Sequence, residues 1–292
     1  MARLSAVACL IIFGLTAQSF ARDIFVDNLA GDDRNNGSQP VAGAVGAGPV
    51  RSITRALWIA HAGDRVVLTK NDEPYREMVC LIGPRNSGFE DSPFVIEGNG
   101  AVIDGSAMIN SEDWDHAFGE IFKVRFRYMA NPMLFEGDKL LPRIKIASAK
   151  DLSKLQVGEW ASFGGKVYFR PASDRSLLTY PLAGASMASG ITLFQVDQVQ
   201  IRNLTVQGFR IDGIAAPDAA ENVLLEKIVS RANGRSGLST GGASKVIAAE
   251  SQMIENGVTP VRMEGLCKLK LANCLLAPVT TVDRKGGKLT QE

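Results

Sequence analysis

A repeat of 23 or 24 residues is the feature of this 292-residue chain that most limits its fold. The run "DQVQIRNLTVQGFRIDGI" (197–214) alternates apolar and polar residues, and "ENVLLEKIVSRANGRSGL" (221–238) follows the same pattern 24 residues later. Two further shifts of 23 residues bring Val223 onto Val246 and then onto Leu269. Each copy holds two short alternating runs and a glycine turn, which leaves no room for a long helix. Four consecutive copies predict a β-solenoid whose coils lie ~4.8 Å apart.

The residues of one coil also resemble a known family. The pattern V-x-I-x-N-L-x-V-x-G at 199–208, followed by a Gly-Ile turn, is similar to the coil of the right-handed parallel β-helix proteins of the pectate-lyase-like superfamily. "DIFVDNLAGDDRNNG" (23–37) resembles the opening strand and loop of such chains, and "PFVIEGNGAVIDG" (93–105) resembles their second coil. The resemblance implies an all-β right-handed parallel β-helix. It implies less about activity, because the family includes lyases, hydrolases, epimerases and phage tail parts.

An amphipathic segment precedes the first coils and predicts an N-terminal capping helix. Ser52 is a candidate N-cap, and Gly63 is a candidate terminator. The apolar face consists of Ile53, Ala56, Leu57 and Ala60. Laid across the open end of the solenoid, such a helix covers backbone edges that would otherwise pair with another chain.

Residues 106–190 interrupt the repeat and predict a β insert. The segments 133–144 and 160–171 each place a glycine turn between alternating residues, which is typical of a β-hairpin. We expect one β-helix domain over 22–292, with four repeat coils at 197–283 and an insert that walls a groove.

The first residues resemble a secretory signal. A positive charge at Arg3 precedes an apolar core, and Ser19-Phe20-Ala21 is a small-x-small cleavage site. We expect 1–21 to be removed and the protein to be secreted or periplasmic. No later segment is apolar for long enough to predict a membrane span.

Composition narrows the chemistry. The chain has 32 Lys and Arg against 31 Asp and Glu, so we expect no nucleic-acid partner and no overall attraction for an acidic polymer. Histidine occurs only at His61 and His116. Two histidines are too few to favour a histidine-based zinc site or a serine–histidine relay. Three cysteines follow the signal, and we interpret them as buried apolar residues.

The candidate catalytic residues lie in the repeat. Asp212 aligns with Ser236 one coil later, and no second acid shares its position, so we interpret it mainly as a turn residue. Arg231 and Arg235, with Arg210 one coil earlier, are candidates for binding an anion, since guanidinium groups suit carboxylates and sulfates. Lys227 is a candidate base.

Position 203 of the repeat predicts a ladder that continues through the coils. Its members are Asn203, Lys227, Glu250 and Asn273. We expect Lys227 and Glu250 to pair across strands, and the asparagines to form side-chain hydrogen bonds at a bend. A structural role is therefore favoured over a catalytic one for Lys227.

Aromatic residues are unevenly distributed. Eleven of the 20 lie in the predicted insert, and none follows Phe209. Sugar rings stack on aromatic faces. The candidate saccharide-binding residues are Trp114, Tyr128, Trp160, Tyr168 and Phe169. The alternative is that they form the hydrophobic core of the insert.

No motif predicts a cofactor or a bound metal. The acidic loop 31–37 lacks the closing glutamate of an EF-hand, so calcium is left open without support from a pattern.

Two functions remain after these exclusions. The first is a carbohydrate-associated protein, related to a polysaccharide lyase or glycoside hydrolase. The alternative is a non-catalytic surface protein that binds a glycan or another protein. The short segment after Val282 also predicts partial exposure of the last coil, or self-association through it.

Overall fold

The computed structural model describes residues 21–278 and 281–292. The predicted signal segment, apart from Ala21, lies outside the described residues. One α-helix, α1 (Ile53–Ile59), and three short 3-10 helices (Ser111–Asp113, Ala149–Lys154 and Leu177–Thr179) occur among them. The rest of the regular structure is β-sheet.

The strands follow one another along the chain as β1 (Asp23–Val26), β2 (Arg65–Leu68), β3 (Val79–Ile82), β4 (Phe94–Asp104), β5 (Ser106–Met108), β6 (Asp115–Phe118), β7 (Ile121–Val124), β8 (Leu134–Glu136), β9 (Lys139–Leu140), β10 (Trp160–Phe163), β11 (Lys166–Phe169), β12 (Leu182–Ala185), β13 (Ile191–Phe194), β14 (Asp197–Gln207), β15 (Asp212–Asp218), β16 (Glu221–Arg231), β17 (Ser236–Thr240), β18 (Lys245–Ala249), β19 (Gln252–Ile254), β20 (Thr259–Met263), β21 (Lys268–Ala272), β22 (Leu275–Ala277), β23 (Asp283–Arg284) and β24 (Lys288–Gln291).

Two long parallel sheets form the solenoid. The first has the order β1-β2-β4-β14-β16-β18-β21-β24, with β19 and β22 continuing it beyond a bend. The second has the order β3-β13-β15-β17-β20-β23. All pairings within these two sheets are parallel, since each coil stacks on the one before it. The protein is an all-β right-handed parallel β-helix, and this prediction is confirmed.

The predicted register of the repeat is also confirmed. Val199 pairs with Val223, which pairs with Val246, which in turn pairs with Leu269. All four side chains are buried and form one inward ladder. Such ladders fill the solenoid with a single hydrophobic core that also includes α1.

The ladder predicted at position 203 of the repeat forms a corner within the first sheet. Asn203, Lys227, Glu250 and Asn273 all have left-handed backbone, with φ between 49° and 53°. Because this conformation turns the chain within one residue, each coil changes direction there. The Lys227 Nζ lies 3.9 Å from the Glu250 Oε2, and the Asn203 Nδ2 donates to the Glu97 Oε1 at 2.8 Å.

The capping helix α1 packs on the first coil through Ile53, Ala56 and Leu57. The Ser52 hydroxyl accepts a hydrogen bond from the Arg55 backbone N–H at 3.0 Å, as predicted for an N-cap. The helix ends sooner than expected. Ala60, in extended conformation, forms the C-cap, and Gly63 follows with φ 80° in the turn that leads to β2.

The interruption at 106–190 contains two antiparallel sheets, β5-β12-β8-β9 and β10-β11-β7-β6. Both expected hairpins are present. β8 pairs with β9, and β10 pairs with β11 through Gly164 and Gly165, which both have positive φ, as a tight hairpin turn requires. The insert contacts the solenoid through a small apolar cluster in which Met133 and Phe135 meet Ala232.

Among the described residues, no helix is both long enough and apolar enough to cross a membrane.

Candidate functional site

Asp212 is buried in an ion pair, beyond the local turn expected from the sequence. Its side chain is 2% exposed, and its two carboxylate oxygens accept from the Arg235 guanidinium at 2.9 and 2.5 Å. The Ser236 hydroxyl donates to the same carboxylate at 2.6 Å. Hydrogen bonding to Asp212 raises the pKa of Arg235. This pair joins two neighbouring coils.

Arg231 belongs to a second bonded ladder. Its Nε donates to the Gln207 Oε1 at 2.8 Å, and the Gln207 Nε2 donates to the Asp104 Oδ2 at 3.0 Å. Glu255 lies 3.8 Å from the far side of the guanidinium. Arg231 and Arg235, which the sequence offered as candidates for binding an anion, therefore both bind polar side chains of the protein itself.

Lys227 lies apart from these residues. It occupies the bend in the middle of β16, whereas Arg231 ends that strand and Arg235 precedes β17. Its side chain is 55% exposed beside Glu250. Of the four catalytic candidates, the structure brings only Asp212 and Arg235 into contact.

Most aromatic candidates belong to the core of the insert. Trp114, Trp160 and Phe169 are buried in one apolar cluster, and the Trp160 Nε1 donates to the Leu141 carbonyl at 2.9 Å. Tyr168 is partly buried against a neighbouring cluster. A ring enclosed in this way has no free face for a sugar.

Tyr128 is the exception, because its side chain is exposed. Its ring is flanked by two guanidinium groups, with the Arg210 Cζ 4.3 Å and the Arg127 Cζ 5.4 Å from the ring centroid. Arg210 lies in the turn between β14 and β15, and Tyr128 follows β7 of the insert. Insert and solenoid thus meet at this residue, and the ring holds both guanidiniums in place.

A cavity of about 160 Å³ adjoins the ring and is also lined by Arg125, Arg127 and one acidic residue, Asp113, which forms no ion pair with these arginines. We call this cavity, together with Arg125, Arg127, Tyr128 and Arg210, the arginine–tyrosine pocket. Within residues 21–278 and 281–292, none of its three arginines forms an ion pair or a side-chain hydrogen bond. The Arg210 Nε is buried without a hydrogen-bond partner.

The chemistry of this pocket follows from its unpaired donors. A buried N–H group without a hydrogen-bond partner destabilises the protein. A ligand that supplies an acceptor removes this cost. Guanidinium groups bind carboxylates and sulfates through paired N–H donors. The pocket is therefore suited to an anionic ligand.

Arg125 and Arg127 were absent from the candidates drawn from the sequence. The run "RFRY" at 125–128 alternates cations with aromatic rings, and this pattern is the signal that points to them. Their proximity to Arg210, more than 80 residues later, depends on how the insert folds back on the solenoid.

The acidic loop 31–37 binds the protein's own groups. Arg34 holds the pKa of Asp32 well below its usual range through hydrogen bonds. The Asp33 carboxylate accepts from the backbone N–H groups of Arg51 and Ser52 at 2.9 Å each. Among the described residues, no cluster of three or more potential metal ligands is present.

Comparison with known proteins supports the fold. No known family model matches the chain, and no curated protein sequence matches it. The chain is similar to a solved structure described as a glycoside hydrolase, with 13% identity and a TM-score of 0.61, over 87% of this chain and 73% of that one. At this identity the likeness concerns the fold alone.

Two other solved structures are less similar. A complex of XylC with xylose has a TM-score of 0.44 and 10% identity over 92% of this chain and 70% of that one. Pectate lyase Pel9A has a TM-score of 0.38 and 10% identity over 88% of this chain and 63% of that one.

Proposed function

We propose that the protein binds an acidic saccharide, one that bears carboxylate or sulfate groups, in the arginine–tyrosine pocket. The observation that carries the proposal is that Arg127 and Arg210 flank the exposed ring of Tyr128, beside a cavity that Arg125 also lines, and that none of the three arginines has an ion-pair partner among the described residues. The name of the glycoside hydrolase with the same type of fold agrees with a saccharide ligand.

The size of the cavity sets the mode of binding. Its volume of about 160 Å³ lies below the ~300 Å³ at which pockets begin to enclose a drug-sized ligand. One acidic sugar or its charged substituent enters the pocket, and the remainder of the saccharide lies along the surface. Affinity then depends on charge and weakens with added salt.

Cleavage of the saccharide is the second candidate function. Neutralising a uronate carboxylate is one requirement of β-elimination, and the unpaired guanidiniums meet it. Glycoside hydrolysis needs two carboxyl groups at a set separation, and the carboxylate of Asp212 is already held by Arg235 and Ser236. We therefore favour binding over catalysis.

Affinity electrophoresis through gels that contain polygalacturonate, alginate, a sulfated glycan or neutral dextran tests the proposal, with and without calcium. The acidic polymers are expected to retard the protein, and dextran is expected not to. Equal migration in all gels, or equal retardation by dextran, would overturn it. Incubation with the same polymers separates the two functions, because β-elimination creates an unsaturated product that absorbs in the near ultraviolet and hydrolysis creates new reducing ends.

Two sequence-based predictions remain as parts of this proposal. Export rests on the segment 1–21, and amino-terminal sequencing of the secreted protein would locate its cleavage site. Self-association rests on the last coil, where β24 pairs with β21 and is the final strand of the sheet among the described residues.

A further inference from the structure

A second cavity lies between the capping helix and the second sheet, and no residue of the insert lines it. Its volume is about 670 Å³, within the range of small-molecule sites. Leu57 and Trp58 of α1 form one wall, while Cys80 and Ile82 of β3 form the other. Most of this surface is apolar, and Ile82 is half exposed. Such walls favour a ligand with an apolar body.

Trp58 supplies an open aromatic face. Its side chain is 65% exposed, whereas Trp114 is 8% and Trp160 is 1% exposed. The Arg55 guanidinium carbon lies 4.8 Å from the Trp58 ring centroid and covers one side of the ring. A large exposed indole at the mouth of a cavity is unusual, because burying its apolar area stabilises a protein.

Two arginines give the cavity a positive charge. Within residues 21–278 and 281–292, Arg55 and Arg85 form no ion pair, and the Arg55 Nε is buried without a hydrogen-bond partner. The one carboxylate in the lining belongs to Asp33, which accepts from the backbone of Arg51 and Ser52 and from the Ser52 hydroxyl. Its charge is therefore directed to the start of α1.

We propose that this cavity binds a small organic acid with an apolar, preferably aromatic, body. The carboxylate pairs with the free guanidiniums of Arg55 and Arg85, and the body lies between Trp58 and Ile82. This site is independent of the proposed saccharide pocket, since the two share no lining residue.

Titration with cinnamate, cinnamyl alcohol and hexanoate tests the proposal on the full chain by calorimetry and tryptophan emission. Cinnamate is expected to bind and to change the emission of Trp58, the one indole that is not buried. Cinnamyl alcohol, without the charge, is expected to bind about tenfold more weakly, and hexanoate, without the ring, about fivefold more weakly. Equal binding of cinnamate and the alcohol, or no binding of cinnamate at about 1 mM, would overturn the proposal.

Substitutions locate the binding. Trp58→Ala, Arg55→Gln and Arg85→Gln are each expected to weaken cinnamate binding about fivefold or more. Arg85 lies exposed in the turn after β3, so its variant tests the charge even if a change at Arg55 disturbs α1. Met78→Ala, at an exposed apolar residue outside the cavity, and Arg127→Gln, in the saccharide pocket, serve as controls. Equal weakening by the controls would contradict the assignment.

Discussion

At the scale of single residues, the arginines that stabilise the fold differ from those that we propose to bind a ligand in whether the protein supplies a partner for the guanidinium group. Asp212 and Arg235 satisfy each other, and Arg231 is bonded to Gln207. Arg210, in the turn just before Asp212, has a ring beside it in place of an acid. Residue type alone did not distinguish these arginines, because pairing depends on which side chains the coils bring into register.

Asp212→Asn tests the structural role of the buried pair. The variant leaves the Arg235 charge without a counterion, and we expect a loss of about 2–4 kcal/mol in the free energy of unfolding. The loss falls below that of a fully buried pair because the Arg235 side chain is 35% exposed. Urea denaturation measures it. Glu250→Gln, which breaks an exposed pair, is the control, and an equally small effect of both substitutions would contradict the role assigned to Asp212.

At the scale of elements, the repeat was predictable and the insert was only partly so. The coils repeat one pattern, so the pairing of Val199 with Val223 can be predicted from the sequence. The insert has no repeat to align. Its hairpins follow from local turn residues, but the burial of Trp114 and Trp160 and the exposure of Tyr128 depend on how its two sheets fold on each other and on the solenoid.

Lys227→Asn tests the role of the bend. Lys227 has φ 53°, a left-handed conformation that asparagine adopts more readily than lysine does. We expect the variant to gain about 0.5–1 kcal/mol in the free energy of unfolding, because the strained backbone is relieved. Lys227→Val, with a β-branched side chain, is expected to lose about 1 kcal/mol, and urea denaturation measures both changes.

The same pair of variants addresses catalysis by Lys227. Both are expected to retain the saccharide binding of the unchanged protein, since the bend lies outside the arginine–tyrosine pocket. A loss of saccharide binding or cleavage in stably folded Lys227→Asn would contradict a purely structural role.

At the scale of the whole molecule, a nearly neutral chain carries local charge. The totals of 32 basic and 31 acidic residues led us to expect no attraction for acidic polymers. The structure distributes that charge unevenly, because ion pairs neutralise several arginines of the coils, whereas Arg127 and Arg210 form none within the part of the chain that the structure describes. Composition cannot reveal this distribution, since it depends on contacts between segments far apart in the sequence.

In our proposal the unpaired arginines, and not the paired ones, bind the acidic saccharide. Isothermal titration of a uronic-acid oligosaccharide into Arg127→Gln, Arg210→Gln and Arg231→Gln tests it most directly. We expect the first two variants each to lower the affinity about tenfold, which corresponds to the loss of one charge-assisted hydrogen bond, and Arg231→Gln to change it less than about twofold. Unchanged affinity in both pocket variants, or a greater loss in Arg231→Gln, would contradict it.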